Sequence, residues 1–117
     1  MRSYCRVGSI SKDIEGSYDL ITCIEVLEHL RESGAQEAIR RMCAGTNTIF
    51  LSSTPYEDEA KHLKVRPLLY WMTSFQQHGF APDLGFDATF VAHHAVLLRR
   101  AASPWSLEVL QTFIALM

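Results

Sequence analysis

Several common functions lack their signature in this chain of 117 residues. Cysteine is scarce and unpaired: Cys5, Cys23 and Cys43 are odd in number, have no C-x-x-C spacing and sit in or beside apolar runs. They read as reduced core thiols rather than a disulfide frame or zinc knuckle, which points to a cytoplasmic protein. Charge of one sign is missing too, since 11 Lys and Arg face 13 Asp and Glu for a formal net charge of -2. The basic residues are scattered apart from Arg40-Arg41 and Arg99-Arg100, so no electrostatic footprint for a nucleic-acid partner is expected. No uninterrupted apolar run reaches the about 18 residues that a membrane helix needs, and "MRSYCRVGSISKDIEG" has no signal-peptide core. No membrane partner is expected. Internal repeats and low-complexity tracts are also absent.

The chain does contain a patterned series of buried segments. "YDLITCI", Tyr18 to Ile24, is a short apolar run after Gly16 and Ser17 and reads as a strand buried on both faces, as in a parallel sheet. From Val26 to Cys43 the residues Leu27, Leu30, Ala35, Ala38, Ile39 and Met42 recur mostly at three- and four-residue spacings, which predicts a helix. Ser33-Gly34 divides it into a short turn and a longer helix in one reading, and Gly45 is placed to stop it. "TNTIFLSSTP", Thr46 to Pro55, predicts a second buried strand whose small hydroxyl residues and proline take the chain out of the sheet. Strand, helix, strand implies a right-handed parallel crossover.

After the polar stretch "YEDEAKHLK", Pro67 opens a helix with Leu68, Trp71, Met72 and Phe75 on one face and Gly79 as its stop. "GFAPDLGFDATFVAHHAVLLRR" predicts two strands joined by a short turn around Asp83 to Asp87, an antiparallel hairpin at the sheet edge. The tail from Pro104 to Met117 presents Trp105, Leu107, Leu110, Phe113, Ile114 and Met117 at helical spacing. The expected class is α/β, a layered βαβ domain.

"YDLITCIEVLEHL", then "IFLSSTP", then "YWMTSFQQHGF" resemble, in that order, the C-terminal half of class I S-adenosylmethionine-dependent methyltransferases. There a strand running into an E-V-L-E-H helix is a recurrent signature. The stretch from His62 to Arg100 is similar to the subset found with bacterial polysaccharide and glycosyl-transfer enzymes. The resemblance covers roughly residues 4–100 and implies a partial Rossmann-like sheet over residues 1–103, with a helical tail over residues 104–117. Members of the family begin with a strand and a glycine-rich loop that approaches the cofactor. The six glycines here include no G-x-G pair, so the N-terminal glycine-loop half is expected to be missing. The resemblance makes Ser9 and Ile10, in "RVGSIS", candidates for the adenine side of S-adenosylmethionine, with Cys23 and Ile24 beside the cofactor cleft.

Glu25, Glu28 and His29 stand at i, i+3 and i+4, one face of a helix, and the carboxyl end of a parallel strand faces the ligand crevice of such folds. Three readings stay open. Two carboxylates and an imidazole suit a divalent cation. In the small-RNA 2′-O-methyltransferases and the ubiquinone-pathway O-methyltransferases the matching residues are metal ligands, and in the former a later histidine, here matched by His62, completes the set. A metal would act as Lewis acid and template. In the second reading His29 is a general base with Glu28 beside it. In the third the carboxylates merely favour the helix N-terminus. His93 and His94 read as mid-strand residues on opposite faces, and Tyr70, Trp71 and Phe75 as core.

The expected function is a truncated methyltransferase domain, whose intact relatives methylate an acceptor oxygen of a sugar or small molecule. The competing reading is a non-catalytic half-domain that homodimerises or binds a partner through an open sheet edge.

Overall fold

The computed structural model describes residues 8–12, 14–53, 66–103 and 105–116. Its elements are β1 (Ile21–Ile24), a single 3-10 turn at Leu27–His29, α1 (Glu32–Gly45), β2 (Thr48–Ser52), α2 (Leu68–Gln76), β3 (Phe80–Pro82), β4 (Val96–Arg100) and α3 (Leu107–Ala115). The four strands form one mixed sheet in the order β1-β2-β4-β3. β1 and β2 are parallel, with Ile21 beside Ile49 and Ile24 beside Ser52. β4 runs antiparallel to both β2 and β3.

The period-2 alternation of β2 and β4 builds two apolar layers. Ile49 and Leu51 lie opposite Leu98 and Val96, and these face the helices. Phe50 lies opposite Leu97 on the other side, where Ala88 and Ala95 cover them. The helical side is the larger core. α1 contributes Ala35, Ala38, Ile39, Met42 and Cys43, the i, i+3, i+4, i+7, i+8 stripe of an amphipathic helix. α2 adds Leu68, Trp71, Met72 and Phe75, which is the face its spacing predicts. α3 inserts Leu110, with Phe113 and Ile114 packed partly against the same core, so the tail closes over α2. Ser106 caps α3 by accepting from the Val109 N–H at 3.2 Å.

Two close approaches fix α1. A Cβ on Gly45 would stand 3.2 Å from the Gly16 carbonyl oxygen, and that tight space lets the Tyr18 N–H donate to the Gly45 carbonyl at 2.7 Å. α1 has no basic residue in its last turn. Arg100 serves instead from β4: its Nη2 donates to the carbonyls of Cys43 and Thr46, and its Nε to Asn47 Oδ1 at 2.8 Å. A guanidinium at a helix C-terminus satisfies orphan carbonyls and favours the dipole.

Two sequence expectations are corrected. The segment from Val26 is a short turn followed by a longer helix, as one of the two readings has it, but the division falls at Leu30 and Arg31, which are both extended, and not at Ser33-Gly34, which lie inside α1. The last two strands are not joined by a short turn at Asp83 to Asp87. β3 ends at Pro82, and residues 83–95 make a series of turns before β4. Asp83 Oδ1 accepts from the Gly85 N–H at 2.8 Å and Asp87 Oδ1 from the Thr89 N–H at 2.9 Å, local bonds that compete with a ladder. His93 and His94 therefore lie in a turn, not mid-strand.

Phe75→Ala, which empties a fully buried site between α2 and the sheet, is expected to destabilise the fold by about 3–5 kcal/mol. Leu84→Ala, at a residue 74% exposed, should change stability by less than about 0.5 kcal/mol. Urea denaturation of the two variants measures the difference.

Candidate functional site at the carboxyl ends of the parallel strands

β1 ends in an unusual backbone. Glu25 has φ 54, the left-handed region that non-glycine residues seldom adopt. Its N–H still donates to the Ser52 carbonyl at 2.7 Å, continuing the parallel ladder by one bond. Val26 then starts the 3-10 turn, whose N–H groups at His29 and Leu30 return to Val26 and Leu27. The kink turns the Glu25 side chain toward the end of β2. Strain of this kind persists only where the surroundings over-determine it.

The surroundings here are polar. Glu25 Oε1 accepts from Ser52 Oγ at 2.8 Å and lies 2.8 Å from His94 Nε2. Ser52 is buried, whereas the Glu25 and His94 side chains are 39% and 17% exposed. Glu28 is on the core side and is 1% exposed. Its Oε2 accepts from Ser53 Oγ, itself fully buried, while among the described residues Oε1 has no hydrogen-bond partner. His29 Nε2 is 3.8 Å from that oxygen, too long for a hydrogen bond, and the imidazole is half exposed. A buried carboxylate with one oxygen unsatisfied is an expensive arrangement.

Glu25, Glu28 and His29 thus do not share a helical face. Glu25 belongs to the kink, Glu28 points into the protein and His29 to solvent. His62 lies outside the described residues. Among the described residues no group of three or more His, Cys, Asp and Glu side chains is arranged to hold a metal ion. Of the residues proposed as ligands on sequence grounds, the three described ones, Glu25, Glu28 and His29, do not form such a group.

The cofactor candidates are also separated. Cys23 is buried in the core, where burial, reinforced by the negative charge of Glu28, pushes its thiol up to about 12. Its side chain faces the helices, not a cleft. Ile24 is on the opposite face and 45% exposed. Ser9 is exposed, bonded to Ser11 at 3.0 Å, and Ile10 packs against the core edge. Cys23 and Ile24 therefore face opposite sides of the sheet, while Ile10 packs against the same core as Cys23.

Ser52 and Ser53 are not among the candidates from sequence, and His94 is read there as a mid-strand residue rather than a site residue. Ser52 and Ser53 carried a signal, as small hydroxyl residues closing a buried strand. His94 carried none, because it arrives from a segment 69 residues away in sequence. A separate groove of about 500 Å³ lies between α1 and α2, floored by Gln36, whose Nε2 donates to Tyr70 Oη at 3.2 Å and Ser74 Oγ at 3.1 Å. Among the described residues, none of the site residues proposed from sequence lines it. Comparison with protein-family models, curated proteins and solved structures finds no match to this chain.

Ser53→Ala should cost about 1–3 kcal/mol, because both oxygens of buried Glu28 would then lack a donor; urea denaturation reads this directly. A double-mutant cycle on Glu25→Gln and His94→Ala should give a coupling below about 1 kcal/mol that shrinks with added salt, as for any partly solvated pair. The thiols give a pH test. Burial pushes both Cys23 and Cys43 up to about 12 from an ordinary value near 9. The folded state therefore holds these protons more tightly than the unfolded chain. The stability they contribute is complete below pH 9 and is lost as pH rises toward 12. Unfolding free energies measured at pH 8 and pH 10.5 should fall accordingly, and alkylation of Cys23 and Cys43 at pH 8 should occur only on unfolding.

Proposed function

We propose that this chain supplies the acceptor-side part of a class I S-adenosylmethionine-dependent methyltransferase domain. The observation that carries the reading is the polar cluster at the carboxyl ends of β1 and β2, where Glu25 is held out of the strand conformation with its carboxylate against Ser52 and His94. In open α/β sheets the crevice beyond these strand ends is where ligands bind. Support also comes from chain order: a strand running into "EVLEH", a helix, a parallel strand, then an antiparallel pair. That is the arrangement implied by the resemblance of "YDLITCIEVLEHL", "IFLSSTP" and "YWMTSFQQHGF" to the back half of such domains.

In this reading an acceptor hydroxyl of a sugar or small molecule donates a hydrogen bond to the Glu25 carboxylate. The bond orients an oxygen lone pair away from the protein and gives the departing proton an acceptor. Ser52 and His94 fix the carboxylate so that it loses little freedom on binding. In intact relatives S-adenosylmethionine supplies the methyl group. Because Cys23 and Ile24 face opposite sides of the sheet, donor binding by Ser9, Ile10, Cys23 and Ile24 is expected to be weak.

Titration of the isotopically labelled chain with S-adenosylmethionine, followed by amide chemical shifts, tests the proposal. Weak binding near the millimolar range, about -4 kcal/mol, should move the amides from Cys23 to Glu28 and those of Ser52 and Ser53. Unperturbed spectra at saturating donor, or shifts confined to other regions, would sink the reading.

A further inference from the structure

A polar and an aromatic cluster stand side by side on one face of the sheet. Along β2 the side chains of Phe50 and Ser52 point to the same face, the one away from the helices, and are separated by a single two-residue step of roughly 6–7 Å. Ser52 Oγ holds the Glu25 carboxylate there, with His94 on the same oxygen. Phe50 is the buried base of the aromatic cluster: the rings of Phe86 and Phe90 lie 6.3 and 6.0 Å from it and 6.2 Å from each other, centroid to centroid. These outer rings stay in water, Phe86 being 43% and Phe90 75% exposed. Ile24, beside Ser52 in the parallel register, adds a third exposed apolar side chain to this face. The turns of residues 83–95 carry both outer rings and His94, so one segment supplies the polar and the apolar part. Exposed aromatic rings grouped against a hydrogen-bonding site mark a binding surface, unlike apolar residues scattered singly.

We propose that Phe86 and Phe90 determine acceptor specificity, selecting a hydroxyl carried on an aromatic ring over one carried on a sugar. Resting on the reading of Glu25 as the group that receives the acceptor hydroxyl, this assignment narrows the small-molecule acceptor to a phenol. With its O–H on the Glu25 carboxylate, itself 39% exposed, a phenol places its ring one strand step away, over Ile24 and against Phe86 and Phe90. Aromatic rings gain from offset or edge-to-face contact in such clusters, and the apolar area that they cover leaves water. A sugar in the same place presents several hydroxyls to side chains that neither donate nor accept, and each loses a water partner that nothing replaces. Phe90 is the residue on which the selection turns, because so exposed a ring offers contact surface and contributes little to the fold.

Amide chemical shifts of the isotopically labelled chain, titrated without S-adenosylmethionine, test the assignment with three probes: 4-methylphenol, 4-methylanisole and methyl glucoside. The phenol should bind with a dissociation constant of about 1–10 mM and move the amides of Ile24, Glu25, Ser52, Phe90 and His94. The anisole, which keeps the ring and lacks the O–H, should bind at least about threefold more weakly, and the glucoside at least about tenfold. Phe90→Ala should weaken the phenol at least about threefold, whereas Leu116→Ala, at an exposed residue at the end of α3, should leave it unchanged. Phe86→Ala is the second ring variant should Phe90→Ala fold poorly, as judged by circular dichroism. Anisole or glucoside binding as tight as that of the phenol, phenol shifts confined to other regions, or a phenol affinity indifferent to both ring variants would each overturn the proposal. Phenol binding on this face beside spectra unperturbed by the donor sinks the methyltransferase reading alone. Donor binding without selective phenol binding sinks this assignment alone.

Discussion

A strand with apolar surroundings on both faces and a partner on both edges has every degree of freedom fixed, and β2 is in that position. Ile49 and Leu51 enter the helical core, Phe50 enters the opposite layer, and the backbone is shared between parallel β1 and antiparallel β4. A register slip of one residue would exchange those faces, so the burial of Phe50 against Leu97 and of Leu51 against Val96 pins the strand in place. The positions of Ser52 and Ser53 follow from that pinning. Ser52 ends β2 and Ser53 follows it, and each carries its hydroxyl to a different glutamate.

The two glutamates illustrate how neighbouring carboxylates acquire different environments from one turn of backbone. The left-handed residue at Glu25 sends its own side chain toward solvent and His94, and the following 3-10 turn sends Glu28 inward. One carboxylate stays partly exposed, beside the imidazole of His94. The other is enclosed with a single hydroxyl donor and raises the proton affinity of nearby Cys23. Had the segment continued as the regular helix that its spacing suggests, both would have projected together. The apolar core beneath Leu27 decides otherwise: Leu27 is completely buried, and reaching the core from the end of β1 requires the kink.

The elements whose burial is one-sided and periodic were readable from sequence. The stripes of α1 and α2 and the Gly79 stop, at φ 85, follow from local pattern, as does β2 from its buried run, whereas β1, expected to be buried on both faces, leaves Thr22 and Ile24 exposed because only β2 and the helical side cover it. What was not readable depended on side chains competing with the backbone. Asp83 and Asp87 divert the segment after Pro82 into turns, and no periodicity reports that competition. The same diversion delivers His94 to Glu25, so the misread hairpin and the missed imidazole have one cause. Glu25, Glu28 and His29 were conspicuous as residue types, but their relative directions depend on a positive φ at a glutamate, which propensity alone would assign to glycine or asparagine.

Arg100 has a further consequence, for the order in which the fold is completed. The carbonyls that it caps at Cys43 and Thr46 lie 57 and 54 residues earlier, so a chain emerging from its N-terminus presents α1 and β2 well before the guanidinium that finishes them. Until β4 docks, the end of α1 has only water for those carbonyls, and β2 has a partner on one side alone. The crossover is thus an unfinished unit until the chain extends past Arg100, and that single arginine links its completion to the arrival of the antiparallel strand.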